Sequence, residues 1–318
     1  MFSISKIKEN GFEKVILKDD HTKTFATIIP SCGAILHEFV AINNQDPINV
    51  IESYQSVDDF IANVESKGFL GSKLSPFVCR LHHGTYHFGE KKYTIEQFYL
   101  EKNAIHGLLY DKIFTITGET ANEIHASVTM KYEYKGEDAG YPFNYDCIIT
   151  WTLENDHKLS VTTECLNKDP GLIPMQDGWH PYFNLGDAVD DLQLEFQSKE
   201  MVEFNSELLP TQNLIPYVEF NSLKKINNTF FDNCFTLNMD ACQPLCVLRN
   251  PAKKIEVEIY PGKSYPYLQV YTPPHRKYIA IENLSGAPDA FNNGMGFKTL
   301  EAGESIQFIT TYKIKLLK

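Results

Sequence analysis

A chain of 318 residues with 43% hydrophobic and 13% aromatic side chains has the composition of a folded globular protein and can bury a sizeable core, which excludes a disordered or fibrous chain. Acidic residues outnumber basic ones 41 to 29, for a formal net charge of -12, and no basic run interrupts that balance, so neither nucleic acid nor an anionic membrane is an expected partner. The N-terminal MFSISKIKENGFEKV lacks the apolar centre of a signal peptide, and no stretch approaches about 18 consecutive apolar residues, which together point to a soluble cytoplasmic protein.

In chain order, Glu13 to Asn43 alternates strand-like apolar runs with turns and reads as an opening β-meander. Ser56 to Ser66 is a short helix candidate, with Ser56 placed to cap it and Phe60, Ile61 and Val64 at helical spacing. From Gly68 to Phe98 a glycine-punctuated β pattern returns, and CRLHHGTYHFGEKKYTI clusters Arg80, His82, His83 and His87. On an extended strand His83 and His87 stand about 13 Å apart, too far to share one metal ion. Phe88 to Tyr93 then reads as a hairpin turn entering a strand.

Long strand candidates follow through ITGETANEIHASVTMKYEY and YDCIITWTLENDHKLSVTTECLN, the second a hairpin around Asn155, Asp156 and His157. After PMQDGWHPYFNLGD come further strand-like stretches, FFDNCFTLN, CVLRNPAKKIEVEIY, YPYLQVYTPP and YIAIENL, and the chain closes on SIQFITTYKIKLL. No repeat of 20 to 50 residues and no Pro-rich, Gly/Ser-rich or charged linker divides it. The expectation is one domain over residues 1–318, an all-β, large, mostly antiparallel β-sandwich with few short helices. The seven cysteines, Cys32, Cys79, Cys147, Cys165, Cys234, Cys242 and Cys246, are scattered and odd in number, as expected of buried thiols in a reducing compartment. Cys242 and Cys246 have no neighbours with zinc-ligand spacing, so no metal is expected.

Three titratable residues sit at strand-to-loop junctions: His106 in NAIHG, His180 in DGWHPYFNL, and Glu282 in AIENLSGAPDAFN. Each has a plain structural reading, a rim carboxylate for Glu282 and a hydrogen-bonded core histidine for the others. Arg80 can equally be a salt-bridge partner and Asp232 an Asx-turn residue.

Together these residues resemble the aldose 1-epimerase family, whose best-known member is galactose mutarotase, over essentially the full chain. The resemblance rests on GAIL at 33–36, Arg80 ahead of FGEKKY, NAIHG, GWHPYFNL, DNCFTL, LQVYTPP and IENLSGAPDAFNNGMG followed by LEAGES. Cys79 stands where the family usually carries asparagine. The resemblance implies a galactose mutarotase-like supersandwich that interconverts the α and β anomers of a free aldose, without a cofactor, as a monomer or homodimer. It also implies that Glu282 is the general base, His180 the general acid, and Arg80, His106 and Asp232 the sugar-binding residues.

These residue types suit the chemistry. Mutarotation needs one group to take the anomeric hydroxyl proton and another to protonate the ring oxygen. An ordinary glutamate is ionised at neutral pH, whereas His180 needs help to stay protonated, and Asp177 is a local candidate for that help. Trp179, Tyr182 or Phe183 could cover an apolar sugar face. The alternatives are a mutarotase for a hexose 6-phosphate, a non-catalytic carbohydrate-binding sandwich, and a glycosidase, which would normally need paired carboxylates.

Overall fold

The computed structural model describes residues 1–43 and 45–318. Strand periodicity dominates it because the sequence alternates. The hairpin strand Lys158–Asn167 buries every second residue along its whole length, and the closing strand Ser305–Leu316 does so over its second half. These two strands lie side by side with Asn144–Glu154 at the centre of a nine-stranded sheet. The hairpin turn falls at residues 155–157, where the sequence places it.

A second sheet of nine strands carries the features of interest. Its path runs from Pro210–Pro216 through Ser198–Phe204, Asp232–Leu237, Tyr267–Tyr271, Ile279–Leu284 and Gly178–His180 to Ser72–Leu74, with Tyr182–Phe183 and Ile51–Glu52 branching from it. The pairings along this path are antiparallel. The expected opening meander is a five-stranded sheet from Phe2–Glu9 to Asp46–Asn49.

The two large sheets pack face to face. From the second sheet Trp179 meets Trp151 of the first with ring centroids 5.3 Å apart, and Phe183 meets Tyr312 at 5.7 Å. Polar side chains between the layers find each other: the Trp179 indole donates to Thr163 Oγ1 at 3.3 Å, and Thr310 Oγ1 donates to Asn283 Oδ1 at 2.8 Å. One face of the second sheet is therefore committed to the core. Alternation turns the neighbouring residues His180, Tyr182 and Glu282 to the other face.

The helix Val57–Asn63 forms where expected, with Ser56 Oγ accepting the Asp59 amide at 3.1 Å. It buries Phe60, while Ile61 is exposed. The histidine cluster is not one continuous strand. Residues His82–Gly84 form a single 3-10 turn, with His83 at a positive φ of 50°, so only His87 lies in the strand Thr85–Phe88. Among the described residues no helix is long and apolar enough to cross a membrane.

Candidate active site

The register of the second sheet builds the site. Gly178 pairs with Leu284 and Tyr182 with Ala280, which places His180 opposite Glu282. Glu282 in turn pairs with Gln269, and Gln269 with Cys234. One step along, Tyr182, Ala280, Tyr271 and Asp232 form a parallel row. Directly paired residues share a face, so both rows present their side chains to the same side. His180, Glu282, Gln269, Tyr182, Tyr271 and Asp232 of these rows line a cavity of about 270 Å³.

Two loops complete the walls. Arg80 pairs across strands with Ile105, and the next amide, that of His106, donates to the Cys79 carbonyl at 2.9 Å. His106 and Gly107 both have positive φ, at 61° and 75°. A Cβ on Gly107 would lie 2.2 Å from the Ser75 carbonyl oxygen, so glycine is required after this histidine. The turn aims His106 into the cavity, edge-on to His180 with ring centroids 5.0 Å apart. Leu100, Phe204, Leu208, Pro273 and Pro274 add apolar surface to the lining, and Glu65, Ser66, Lys67 and His275 add polar surface.

All five residues singled out in the sequence, Glu282, His180, Arg80, His106 and Asp232, line this one cavity. Cys79 lines it as well, with its thiol pushed well above the ordinary range by burial and the Glu282 charge. Of the aromatic candidates only Tyr182 lines it, stacked on His180 at 4.9 Å, because Trp179 and Phe183 point into the core. Asp177 does not serve His180. It lies three residues away on an extended segment, hence on the opposite face, and pairs there with Lys73. The loop after Glu282 lines the cavity at Pro288 and also braces its neighbour. Its Asp289 amide donates to the Arg80 carbonyl at 2.8 Å and its carboxylate accepts the His82 amide at 2.9 Å, which fixes the arginine segment.

Sequence reading missed Gln269. Its Nε2 donates to Asp232 Oδ1 at 3.0 Å, it sits beside Glu282, and it is nearly fully buried. A neutral amide inside LQVYTPP carries no signal until the pairing partner of its strand is known.

Glu282 Oε1 and His180 Nε2 are 3.3 Å apart, with both side chains almost wholly buried. Burial, reinforced by the nearby Asp232 charge, lifts the Glu282 carboxyl well above the usual carboxylate range. Burial also pushes His180 down to about 3. Both groups are thus driven towards their neutral forms. Neutral acid plus neutral imidazole and carboxylate plus imidazolium differ only in which side of one contact holds a single proton. His106 is held well below its ordinary value by burial, then by the His180 and Arg80 charges. Burial raises the Asp232 carboxyl, while Arg80 and the Gln269 hydrogen bond oppose that shift.

Hydrogen-bonding capacity is left over in this cavity. Glu282 Oε2, His180 Nδ1, His106 Nδ1 and Gln269 Oε1 are buried and have no hydrogen-bond partner among the described residues. Such groups are costly unless something polar meets them, and a polyhydroxylated ring offers both donors and acceptors.

Comparison with known proteins bears on the family and the fold. The family model for aldose 1-epimerase matches residues 15–313. An uncharacterized Escherichia coli K12 protein, YihR, is 26% identical over 244 residues, 74% of this chain and 76% of its own. A galactose mutarotase-like protein from Clostridium acetobutylicum has the same fold, with a TM-score of 0.86 over 99% of each chain at 18% identity. A galactose 1-epimerase from Lactobacillus acidophilus superposes with a TM-score of 0.83 over 100% of each chain at 19% identity. This chain belongs to the aldose 1-epimerase family.

Proposed function

We propose that the protein is an aldose 1-epimerase that interconverts the α and β anomers of a free aldose, with Glu282 and His180 carrying the proton transfers. The observation that carries this reading is the buried Glu282–His180 contact at 3.3 Å in the lining of the cavity. The anomeric hydroxyl and the ring oxygen are both bonded to C1. A base and an acid acting on them must therefore be close neighbours, each within about 3 Å of its oxygen, and a cross-strand pair meets that requirement.

In this mechanism Glu282 takes the proton of the anomeric hydroxyl while His180 gives one to the ring oxygen. The bond from C1 to the ring oxygen breaks and an open-chain aldehyde forms. Rotation about C1–C2 presents the other face of the carbonyl to the same hydroxyl. Ring closure runs the transfers in reverse, with His180 as base and Glu282 as acid. No net proton is consumed, which fits a pair that holds one proton between its members. Arg80, His106, Asp232 and Gln269 bind the remaining hydroxyls, so C1 stays over the pair while its substituents turn, and Tyr182 supplies an apolar surface.

A phosphorylated sugar is the weaker substrate. The cationic side chains lining the cavity are Arg80 and Lys67, and Lys67 is held by Asp59 at 2.6 Å. Lys91 and Lys92 lie on a hairpin that does not line it. The deciding experiment measures anomer exchange by NMR on free hexoses, pentoses and 6-deoxy sugars, on hexose 6-phosphates, and hydrolysis of nitrophenyl glycosides. Faster exchange of at least one free aldose with no nitrophenol release is expected. Steady release would identify a glycosidase, and binding without accelerated exchange would identify a non-catalytic sugar-binding protein.

A further inference from the structure

A second buried acid–base pair lies directly beneath the first. Lys73 and Asp177 are both fully buried, with Nζ 2.5 Å from Oδ2. This pair has further partners through Lys73 Nζ and Asp177 Oδ1, while Asp177 Oδ2 has only its contact with the ammonium. Lys73 Nζ donates to the Gly178 carbonyl at 3.0 Å and lies 4.6 Å from the Trp179 ring centroid. Asp177 Oδ1 accepts the Tyr265 hydroxyl at 2.6 Å. The Asp177 amide donates to Ser285 Oγ at 2.9 Å, and its carbonyl accepts the Ser285 amide at 2.9 Å.

These contacts join the three strands that matter most. Lys73 belongs to the edge strand Ser72–Leu74, Asp177 leads into Gly178–His180, and Ser285 follows Ile279–Leu284, the strand of Glu282. The histidine strand needs such an anchor. It is three residues long, borders the edge strand, and is interrupted by Pro181, which has no amide to donate to a ladder. Gly178 packs so close to the glutamate strand that a Cβ there would lie 2.7 Å from Leu284 Cδ2.

We infer that the Lys73 and Asp177 side chains, with Tyr265 as their third partner, are positioning residues that tie the histidine strand to the edge strand Ser72–Leu74 and so hold His180 in reach of Glu282. Stability alone does not account for a buried ion pair, because matched apolar replacements are often as stable or more so. What the side chains add is a directional tie from the edge strand to the residues just before His180, Lys73 meeting the Gly178 carbonyl, the Asp177 carboxylate and the Trp179 ring, while the link from Asp177 to Ser285 runs through the main chain of residue 177. The inference rests on the epimerase reading for its kinetic consequence but not for its structural one.

The test is the double variant K73M/D177L, which removes both charges together, with Y265F as a milder companion that keeps the ion pair. Loss of kcat by roughly tenfold to a hundredfold at little-changed KM is expected for the double variant, as for a small misplacement of a reacting group. Displaced His180 ring resonances in heteronuclear NMR spectra are expected in both variants and need no substrate. Y265F is expected to lose a few-fold in kcat. A folded double variant with wild-type kcat and unmoved His180 resonances would overturn the inference. If the double variant does not fold, Y265F with wild-type kcat and unmoved resonances overturns it by itself. Wild-type protein without anomer exchange would sink the epimerase reading instead, and the NMR shifts would still decide the positioning role.

Discussion

The two buried acid–base pairs, Glu282 with His180 and Lys73 with Asp177, lie on opposite faces of the same sheet, one lining the cavity and one in the core. Beneath the sheet, Lys73 has the Asp177 carboxylate, a carbonyl and an indole face, and Asp177 Oδ1 has a tyrosine hydroxyl, while Asp177 Oδ2 has only its contact with the ammonium. The pair in the cavity has one contact of 3.3 Å between its members, and Glu282 Oε2 and His180 Nδ1 have no hydrogen-bond partner among the described residues. Both pairs keep a buried oxygen with no hydrogen bond among the described residues, so what separates the two roles is that Glu282 and His180 line the cavity and Lys73 and Asp177 do not.

Substitution should expose that contrast most strongly in activity. Glu282→Gln and His180→Asn are each expected to keep the fold and to lose about 10²- to 10⁴-fold in anomer exchange, measured by polarimetry. Because the two act as one unit, the double variant should be little worse than the worse single one. Additive losses would mean that they work independently.

Stability should reverse the order. Lys73→Met leaves Asp177 buried without its counter-ion and is expected to destabilise the fold by about 3–5 kcal/mol, read from urea unfolding. Glu282→Gln replaces a carboxyl whose ionisation burial already opposes, so it should unfold at the same or a higher urea concentration. A Glu282→Gln variant as unstable as Lys73→Met would erase the distinction drawn here.

The pH dependence of kcat/KM follows from the shared proton. With His180 pushed down to about 3, a second proton joins the pair only in strong acid, so the acid limb should lie well below the ordinary histidine range. With Glu282 raised, the pair gives up its one proton on the alkaline side, and activity should fall there as pH rises through the raised value. A profile that halves near the ordinary histidine value of about 6.5 would show that His180 is not held by its burial.

Gln269→Ala gives the smallest effect. It removes the amide that orients Asp232 at 3.0 Å, a hydrogen bond to a charged group being typically about 1.5–3 kcal/mol, so KM should rise by roughly an order of magnitude with kcat less affected. Steady-state anomer-exchange kinetics separate the two constants. An equal fall in kcat at constant KM would place Gln269 in the chemistry rather than in binding.

Much of this molecule is legible in its sequence, and the illegible part has a common cause. The hairpin around Asn155 to His157 and the capped helix after Ser56 follow from local periodicity and turn chemistry, which the chain carries within a few residues. Glu282, His180 and His106 stand out as titratable residues near predicted strand ends, and Arg80 and Asp232 join them only through the resemblance to the aldose 1-epimerase family; in the structure Glu282 lies inside its strand, Ile279–Leu284. Gln269 and Lys73 do not stand out, since their meaning lies in which strand pairs with theirs. Asp177 shows the same limit from the other side. Close to His180 in sequence, it is separated from it by the sheet, because an odd spacing on an extended chain reverses the face.

The most direct test of the account is magnetisation transfer between the C1 protons of the α and β anomers of the best free aldose, recorded with wild-type protein and with Glu282→Gln. The account predicts rapid transfer with the wild type and only the spontaneous rate with the variant. Wild-type transfer no faster than the spontaneous rate for every aldose tried, or equal transfer with Glu282→Gln, would contradict it.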